Sequence, residues 1–230
     1  MTPHSSPALT TPALAPMRPS AVLLDLDGTI SDSGPAITAS IAETLAAFGY
    51  PAQSPAELLR FVGPPIREGF RTLAGVPEEQ LDAVVADYRA RYNERMLHAP
   101  VFPGMADLVR DLHARGVPLA LATSKRRSLA VVIIEDAGLT EHFTVLCGAT
   151  DDETRARKAD IVEDALAGLR ARGADVARAV MVGDRHHDVD GAGEHGLPTV
   201  LVRWGYGRPG EEDGAHAVAQ DVADLALLLS

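Results

Sequence analysis

From residue 105 onward, stretches of helical periodicity alternate with short, continuously apolar runs. This alternation limits what the chain can fold into more than any other feature. Helices are predicted over 105–115, 126–137, 158–171, 188–195 and near 221–229, with strands between them over 118–122, 143–146, 178–182 and 198–202. Runs that are apolar at every position, rather than at alternate ones, suit strands buried on both faces. Strands of that kind joined by helices build a parallel sheet with helices packed on either side. A fifth run, Ala21-Val22-Leu23-Leu24, stands apart, ahead of a long helical region from Gly34 to about Leu97. There Leu81, Val84, Val85, Tyr88, Tyr92 and Met96 recur at helical spacing on one face. Gly49-Tyr50-Pro51, Gly63-Pro64-Pro65 and Gly75-Val76-Pro77 punctuate the region into about four helices. The helical lobe is therefore an insertion. The expected organisation is an α/β, doubly wound parallel-sheet (Rossmann-like) core made of residues 20–33 and 101–230, interrupted by helices over 34–100.

Charge narrows the partners. The 230 residues carry 21 Lys+Arg against 32 Asp+Glu, a formal charge of −11. That balance argues against a nucleic-acid binder or a protein of anionic membrane surfaces, either of which needs a basic face. One cysteine, Cys147, precludes an intramolecular disulfide and a Cys-rich zinc site, and fits a reducing compartment. No apolar run has the length of a spanning helix. Residues 1–19 hold five prolines among Ser, Thr and Ala, with Arg18 as the one charged side chain, so a disordered tail is expected rather than a secretory signal. The expected setting is cytoplasmic, as a monomer or homodimer.

In open parallel sheets the chemistry gathers beyond the carboxyl ends of the strands. After the first strand comes Asp25-Leu26-Asp27-Gly28-Thr29, with two carboxylates at i and i+2 expected to point to the same side. Like charges that close raise each other's pKa unless a cation is present. After the second strand comes Thr123-Ser124-Lys125, whose hydroxyls can donate to a phosphoryl oxygen. Lys158 opens a helix, where an ammonium and a helix N-terminus can both face an anion. Gly183-Asp184-Arg185-His186-His187-Asp188 follows the fourth strand. Together these supply a carboxylate nucleophile, oxygen ligands for a hard cation and a clamp for a transferring phosphoryl group.

The set Asp25-x-Asp27-Gly28-Thr29, Thr123, Lys158 and Gly183-Asp184-x-x-x-Asp188, in this order, resembles the haloacid dehalogenase superfamily of phosphatases over residues 21 to 205. Phe61-Val62-Gly63-Pro64-Pro65, Thr123-Ser124-Lys125 and Trp204-Gly205-Tyr206-Gly207 look like its phosphoglycolate phosphatase and 5′-nucleotidase branch. The resemblance implies a helical cap over 34–100 and a Mg²⁺-dependent phosphomonoesterase acting on a small phosphorylated metabolite. In that scheme Asp25 is the nucleophile and forms an aspartyl-phosphate. Asp27 is the general acid and base. Asp25, the Asp27 main-chain carbonyl and Asp184 hold Mg²⁺, while Asp188 supports Asp184 or a metal-bound water. Thr123 and Lys158 bind the phosphoryl oxygens, and Lys158 also screens Asp25 from its anionic substrate. Gly28, Thr29, Ser124 and Lys125 complete the substrate loops.

Several features admit two readings. Arg67, at the start of a cap helix, either receives a substrate carboxylate or second phosphate or is a surface arginine. His186-His187 invites a zinc reading, but adjacent residues on a helix diverge by about 100° and no third ligand has metal spacing. Lys125-Arg126-Arg127 is either a solvated turn or one that faces phosphate. Trp204 and Tyr206 either pack or stack on substrate. Rival functions are a pyrophosphatase or sugar phosphomutase of the same superfamily and a phospho-accepting signalling domain, although Asp27-Gly28-Thr29 has no place in the last.

Overall fold

The run at 21–24 forms β1 (Ala21–Leu24), the centre of the sheet. In the computed structural model, which describes residues 16–230, the chain then leaves the sheet through α1 (Gly34–Ala47), α2 (Pro55–Leu59), α3 (Ile66–Leu73) and α4 (Glu78–Arg95). It returns through α5 (Met105–Ala114), β2 (Leu119–Arg126), α6 (Arg127–Asp136), β3 (Val145–Ala149), α7 (Lys158–Ala171), β4 (Ala179–Gly183), α8 (His186–Gly193), β5 (Thr199–Val202), β6 (Ala217–Ala219) and α9 (Val222–Leu228). All strand pairs are parallel, in the order β3-β2-β1-β4-β5-β6. The chain builds outward from β1 on one side, then crosses and builds outward from β4 on the other. The carboxyl ends of β1 and β4 are thus adjacent at the switch point of a Rossmann-like sheet.

Alternate residues of β1 serve opposite faces. Val22 and Leu24 pack with Met105, Val109, Leu112 and Leu225, whereas Ala21 and Leu23 pack with Ile161, Val162, Ala165 and Leu169. The inserted helices keep an apolar cluster of their own. Its members include Ile41, Leu45, Phe61, Phe70 and the expected α4 face of Leu81, Val84, Val85, Tyr88 and Tyr92.

Two features differ from the sequence reading. β6 was not expected: three residues, Ala217-Val218-Ala219, are too few to show a pattern. β2 runs on through Thr123, Ser124, Lys125 and Arg126, of which the first three read as a loop because they are polar and Arg126 as the start of the next helix. Its register with β3 shifts there, from Thr123 opposite Gly148 to Arg126 opposite Ala149, leaving Ser124 and Lys125 as an unpaired bulge. Such a bulge re-aims side chains at a strand end.

The expected tail lies mostly outside the described residues. Where description begins, the Met17 N–H donates to the Leu228 carbonyl at 2.8 Å. No helix among the described residues is long and apolar enough to cross a membrane.

Candidate active site

The Asp25 N–H donates to the Val182 carbonyl (2.9 Å), so the β1–β4 pairing carries directly into the loop that follows β1. The turn then closes with the N–H groups of Ile30 and Ser31 on the Leu26 carbonyl. Gly28 is required here. Its φ is +81°, and a Cβ would lie 2.2 Å from Asp184 Oδ2.

The two acids of this loop take different partners. Asp25 Oδ1 is 2.8 Å from Lys158 Nζ. Asp27 accepts a hydrogen bond from Ser33 Oγ at 2.5 Å and is paired with Lys125 Nζ at 2.9 Å. Lys158, first residue of α7, also lies 2.8 Å from Asp188 Oδ1 and donates to the Ala122 carbonyl at 3.0 Å. Asp184, fully buried, accepts from the Tyr206 N–H (2.6 Å) through Oδ2, while its Oδ1 has no hydrogen-bond partner. Asp188 Oδ2 accepts from the Arg185 N–H at 3.1 Å.

Asp25, Asp184 and Asp188 each offer a carboxylate oxygen, all within 4.8 Å of one another and all buried. One ammonium does not balance three carboxylates. Burial pushes Asp25 up to about 6 against the pull of Lys158, with Asp188 adding to the rise. Asp184 is raised well above the ordinary carboxylate range, by burial and then by Asp188 and Asp25. Lys158 is raised despite its burial, because both acids favour its charged form. A hard divalent cation with oxygen ligands fits this donor set, as Asp184 Oδ1 in particular lacks any other partner. The Asp27 carboxylate is not among these ligands; it turns away to Ser33 and Lys125.

The β2 bulge sets the other wall. The Lys125 N–H donates to Thr123 Oγ1 (3.2 Å), and Lys125 Nζ donates to the Tyr92 hydroxyl (2.9 Å) while lying 4.5 Å from the centre of that ring. Lys125 is thereby committed to Asp27 and α4, and is not a free cation for substrate. A groove of about 670 Å³ opens between α3 and α4 on one side and α7 and α8 on the other, lined by Ser124, Lys158, His187 and Arg67 among others. The Arg67 guanidinium is already paired with Asp82 (2.5 Å) and Glu78 (2.8 Å) of α4, which fits the surface reading better than a substrate anchor. Neither Gly28 nor Thr29 lines the groove: Gly28 abuts Asp184, and the Thr29 side chain is fully buried.

The sequence pattern described as "Haloacid dehalogenase-like hydrolase" matches residues 22–202. The chain belongs to this family. The chain is 44% identical over 191 residues to "Tyrosine-protein kinase PtkA" of Mycobacterium tuberculosis, covering 83% of this chain and 64% of the relative. It thus spans less than two thirds of that relative's length. A solved structure of Mycobacterium tuberculosis PtkA superposes with a TM-score of 0.79 at 38% identity, covering 93% of this chain and 99% of that one. The chain is also 34% identical over 208 residues to a "5'-nucleotidase" of Pseudomonas aeruginosa, covering 90% and 92% of the two chains. With "Phosphoglycolate phosphatase 1" of the same organism it shares 30% over 227 residues, covering 93% and 81%.

The contacts of two aromatic residues named in the sequence, Trp204 and Tyr206, emerge only from the fold. The Tyr206 hydroxyl donates to Asp32 (2.5 Å) and accepts from the Gly34 N–H (2.7 Å), and Trp204 Nε1 donates to the Thr29 carbonyl at 3.1 Å. The aromatic loop after β5 therefore rivets the chain where it leaves the sheet. Ser33, which the sequence reading did not single out, holds Asp27. The glycines flanking Tyr206 were the available signal, since Gly205 leaves no room for a Cβ beside Asp184. The His186 and His187 rings lie 3.8 Å apart, and burial followed by the neighbouring His186 lowers His187 to about 4. Neither ring belongs to the one metal-capable group found among the described residues.

Proposed function

We propose that this hydrolase is a Mg²⁺-dependent phosphomonoesterase that works through an aspartyl-phosphate on Asp25. The observation that carries the reading is the split between Asp25 and Asp27. Asp25 lies with Lys158, Asp184 and Asp188, where an anionic phosphoryl group meets an ammonium and a cation site. Asp27, two residues on, sits beside Ser33 and Lys125, outside that acid cluster.

In the first step the Asp25 carboxylate attacks phosphorus, the bond from phosphorus to the ester oxygen breaks, and Asp27 protonates the departing alcohol. In the second step Asp27 takes a proton from water, whose oxygen attacks phosphorus and releases Asp25 and inorganic phosphate. Lys158 keeps Asp25 ionised and attracts the phosphoryl oxygens, to which the Thr123 and Ser124 hydroxyls donate. Asp25, Asp184 and the Asp27 carbonyl would hold Mg²⁺, with Asp188 in support, and the ion would offset charge on the phosphoryl oxygens. Residues 34–100 act as a cap, hinged at Gly34 and Val101-Phe102-Pro103, which excludes bulk water during reaction. The substrate class is a small organophosphate, phosphoglycolate-like or a nucleoside monophosphate, in keeping with the names of two relatives.

Phosphate release from a panel of phosphomonoesters tests this reading. Release in excess of enzyme is expected, abolished by EDTA and restored by Mg²⁺. Asp25→Asn is expected to lower it by at least about a thousandfold, on the scale of losing a catalytic nucleophile. Full activity of Asp25→Asn would refute the nucleophile. The 44% identity to a protein named a tyrosine kinase favours a second reading, in which a tyrosine hydroxyl rather than water takes the phosphoryl group. Incubation with ATP and a tyrosine peptide separates the two, since only the second yields phosphotyrosine.

A further inference from the structure

Nearly every described arginine that is not fully exposed is satisfied by a carboxylate or carbonyl. Arg126 is the exception: it is half-buried, and its side chain has neither an ion pair nor a hydrogen bond among the described residues. It follows the Ser124-Lys125 bulge of β2, where the strand rejoins β3. Beside it lies Arg89 of α4, whose Nη2 is paired with Glu153 but whose Nε is buried without a partner. Burial lowers the Arg126 pKa and the Arg89 charge lowers it further, with Asp151 and Glu153 offsetting this in part. Two cations are held together here with donors to spare.

Both arginines line a second, smaller pocket that also contains Asp27, Tyr88, Tyr92 and Leu129. It meets the wide groove at Pro64, Ser124 and Glu153. Asp27 lines the small pocket and not the groove, whereas Lys158 lines the groove and not the small pocket. An acid that protonates the departing oxygen must face the departing alcohol, so the alcohol belongs in the small pocket. Within it Lys125 balances Asp27 and Glu153 balances Arg89, which leaves the Arg126 charge over. The pocket holds about 60 Å³, room for roughly four to six water-sized groups, and so for a small alcohol rather than a nucleoside.

We propose that Arg126, together with Arg89 Nε, forms a specificity subsite for an anionic group on a small leaving alcohol. The inference rests on the phosphomonoesterase reading above and moves second-anion recognition from Arg67 to Arg126. A carboxylate and a second phosphate share the chemistry that a guanidinium recognises.

Phosphate release from ethyl phosphate, carboxymethyl phosphate, the bisphosphate of ethylene glycol and a nucleoside 5′-monophosphate tests it. The wild type is expected to favour carboxymethyl phosphate or the bisphosphate over ethyl phosphate by roughly ten- to a hundredfold in kcat/KM, the scale of a charge-assisted hydrogen bond. Whichever of the two is preferred tells carboxylate from phosphate. Arg126→Met is expected to bring that ratio toward one, and Arg126→Lys to restore part of it, since the charge remains but the planar fork is lost. Arg67→Met is expected to leave the ratio alone. Equal rates on ethyl phosphate and both anionic esters, an unchanged ratio in folded Arg126→Met, or fastest turnover of the nucleotide would overturn the subsite while leaving the phosphatase reading intact. No release from any of the four by protein folded by circular dichroism would overturn both.

Discussion

Asp25 and Asp184 are acids that the folded chain holds in a place unsuited to their charge. Burial is the larger cause in both, and their ordinary value of 3.8 rises to about 6 for Asp25. A carboxyl whose folded pKa lies above its unfolded one binds more protons when folded. Its contribution therefore favours the folded state below about pH 4 and is lost as pH rises through about 6. A bound divalent cation should reverse that loss, because it favours the ionised form of the same groups. Thermal unfolding in EDTA is thus expected to become easier between pH 4.5 and 7, and the gain from Mg²⁺ to widen over that range to roughly 5 °C. A gap independent of pH would show that the cation does not act on these carboxylates. At this scale the sequence was most readable where residue type and strand end coincided. Asp25, Asp184, Asp188 and Lys158 could be singled out from residue type and strand-end position, and the fold brings them together. Tyr92 as a partner of Lys125, and Asp82 and Glu78 as those of Arg67, could not be singled out, since they come from α4, and no local pattern records which helix face lies across from these side chains.

Among the elements, the loop after β5 does more than its composition suggests. Trp204 and Tyr206 read equally well as packing or as substrate stacking. Their use is to fix backbone: Tyr206 joins Asp32, Gly34 and Asp184, and Trp204 joins Thr29. Tyr206→Phe leaves the Gly34 N–H and the Asp32 carboxylate without their shared partner. It is expected to cost about 1–3 kcal/mol in denaturant unfolding. Gly205→Ala should be worse for the site than for the fold. Its Cβ would come within 2.4 Å of the Asp184 side chain and of the Gly28 carbonyl. Weaker Mg²⁺ binding by calorimetry is the expected result; unaltered binding would mean that the loop yields without moving Asp184. Apart from β6, the strands and helices were legible from periodicity and apolar runs. The β2 bulge was not, because a strand that continues through Ser-Lys-Arg has no apolar pattern left to follow.

For the whole molecule, the question is what joins the inserted helices to the sheet. Arg185 contributes most directly. Its guanidinium grips Glu211 through Nε at 2.7 Å and Nη2 at 3.2 Å, and donates through Nη1 to the Val62 carbonyl in the turn between α2 and α3. One buried side chain thus ties the β4–α8 loop, the segment before β6 and the insert. Burial alone would raise Glu211, but the hydrogen bonds and charge of Arg185 outweigh it and hold the carboxyl at about 2. Because this folded pKa lies below the ordinary 4.5, the stabilisation is complete above about pH 4.5 and is lost as pH falls through about 2. Arg185→Met leaves Glu211 with the exposed Arg208 and the His186 N–H and strips Val62 of its donor, so a loss of about 3 kcal/mol is expected. The deficit relative to wild type should hold steady from pH 7 to 4.5 and shrink only below that. Amide exchange separates a joint from a general support. Residues 61–63 should exchange faster in Arg185→Met by a larger factor than β1 does. If instead both accelerate equally, Arg185 stabilises the fold as a whole, and the insert is carried on other contacts, such as Lys125 to Tyr92 and Arg89 to Glu153.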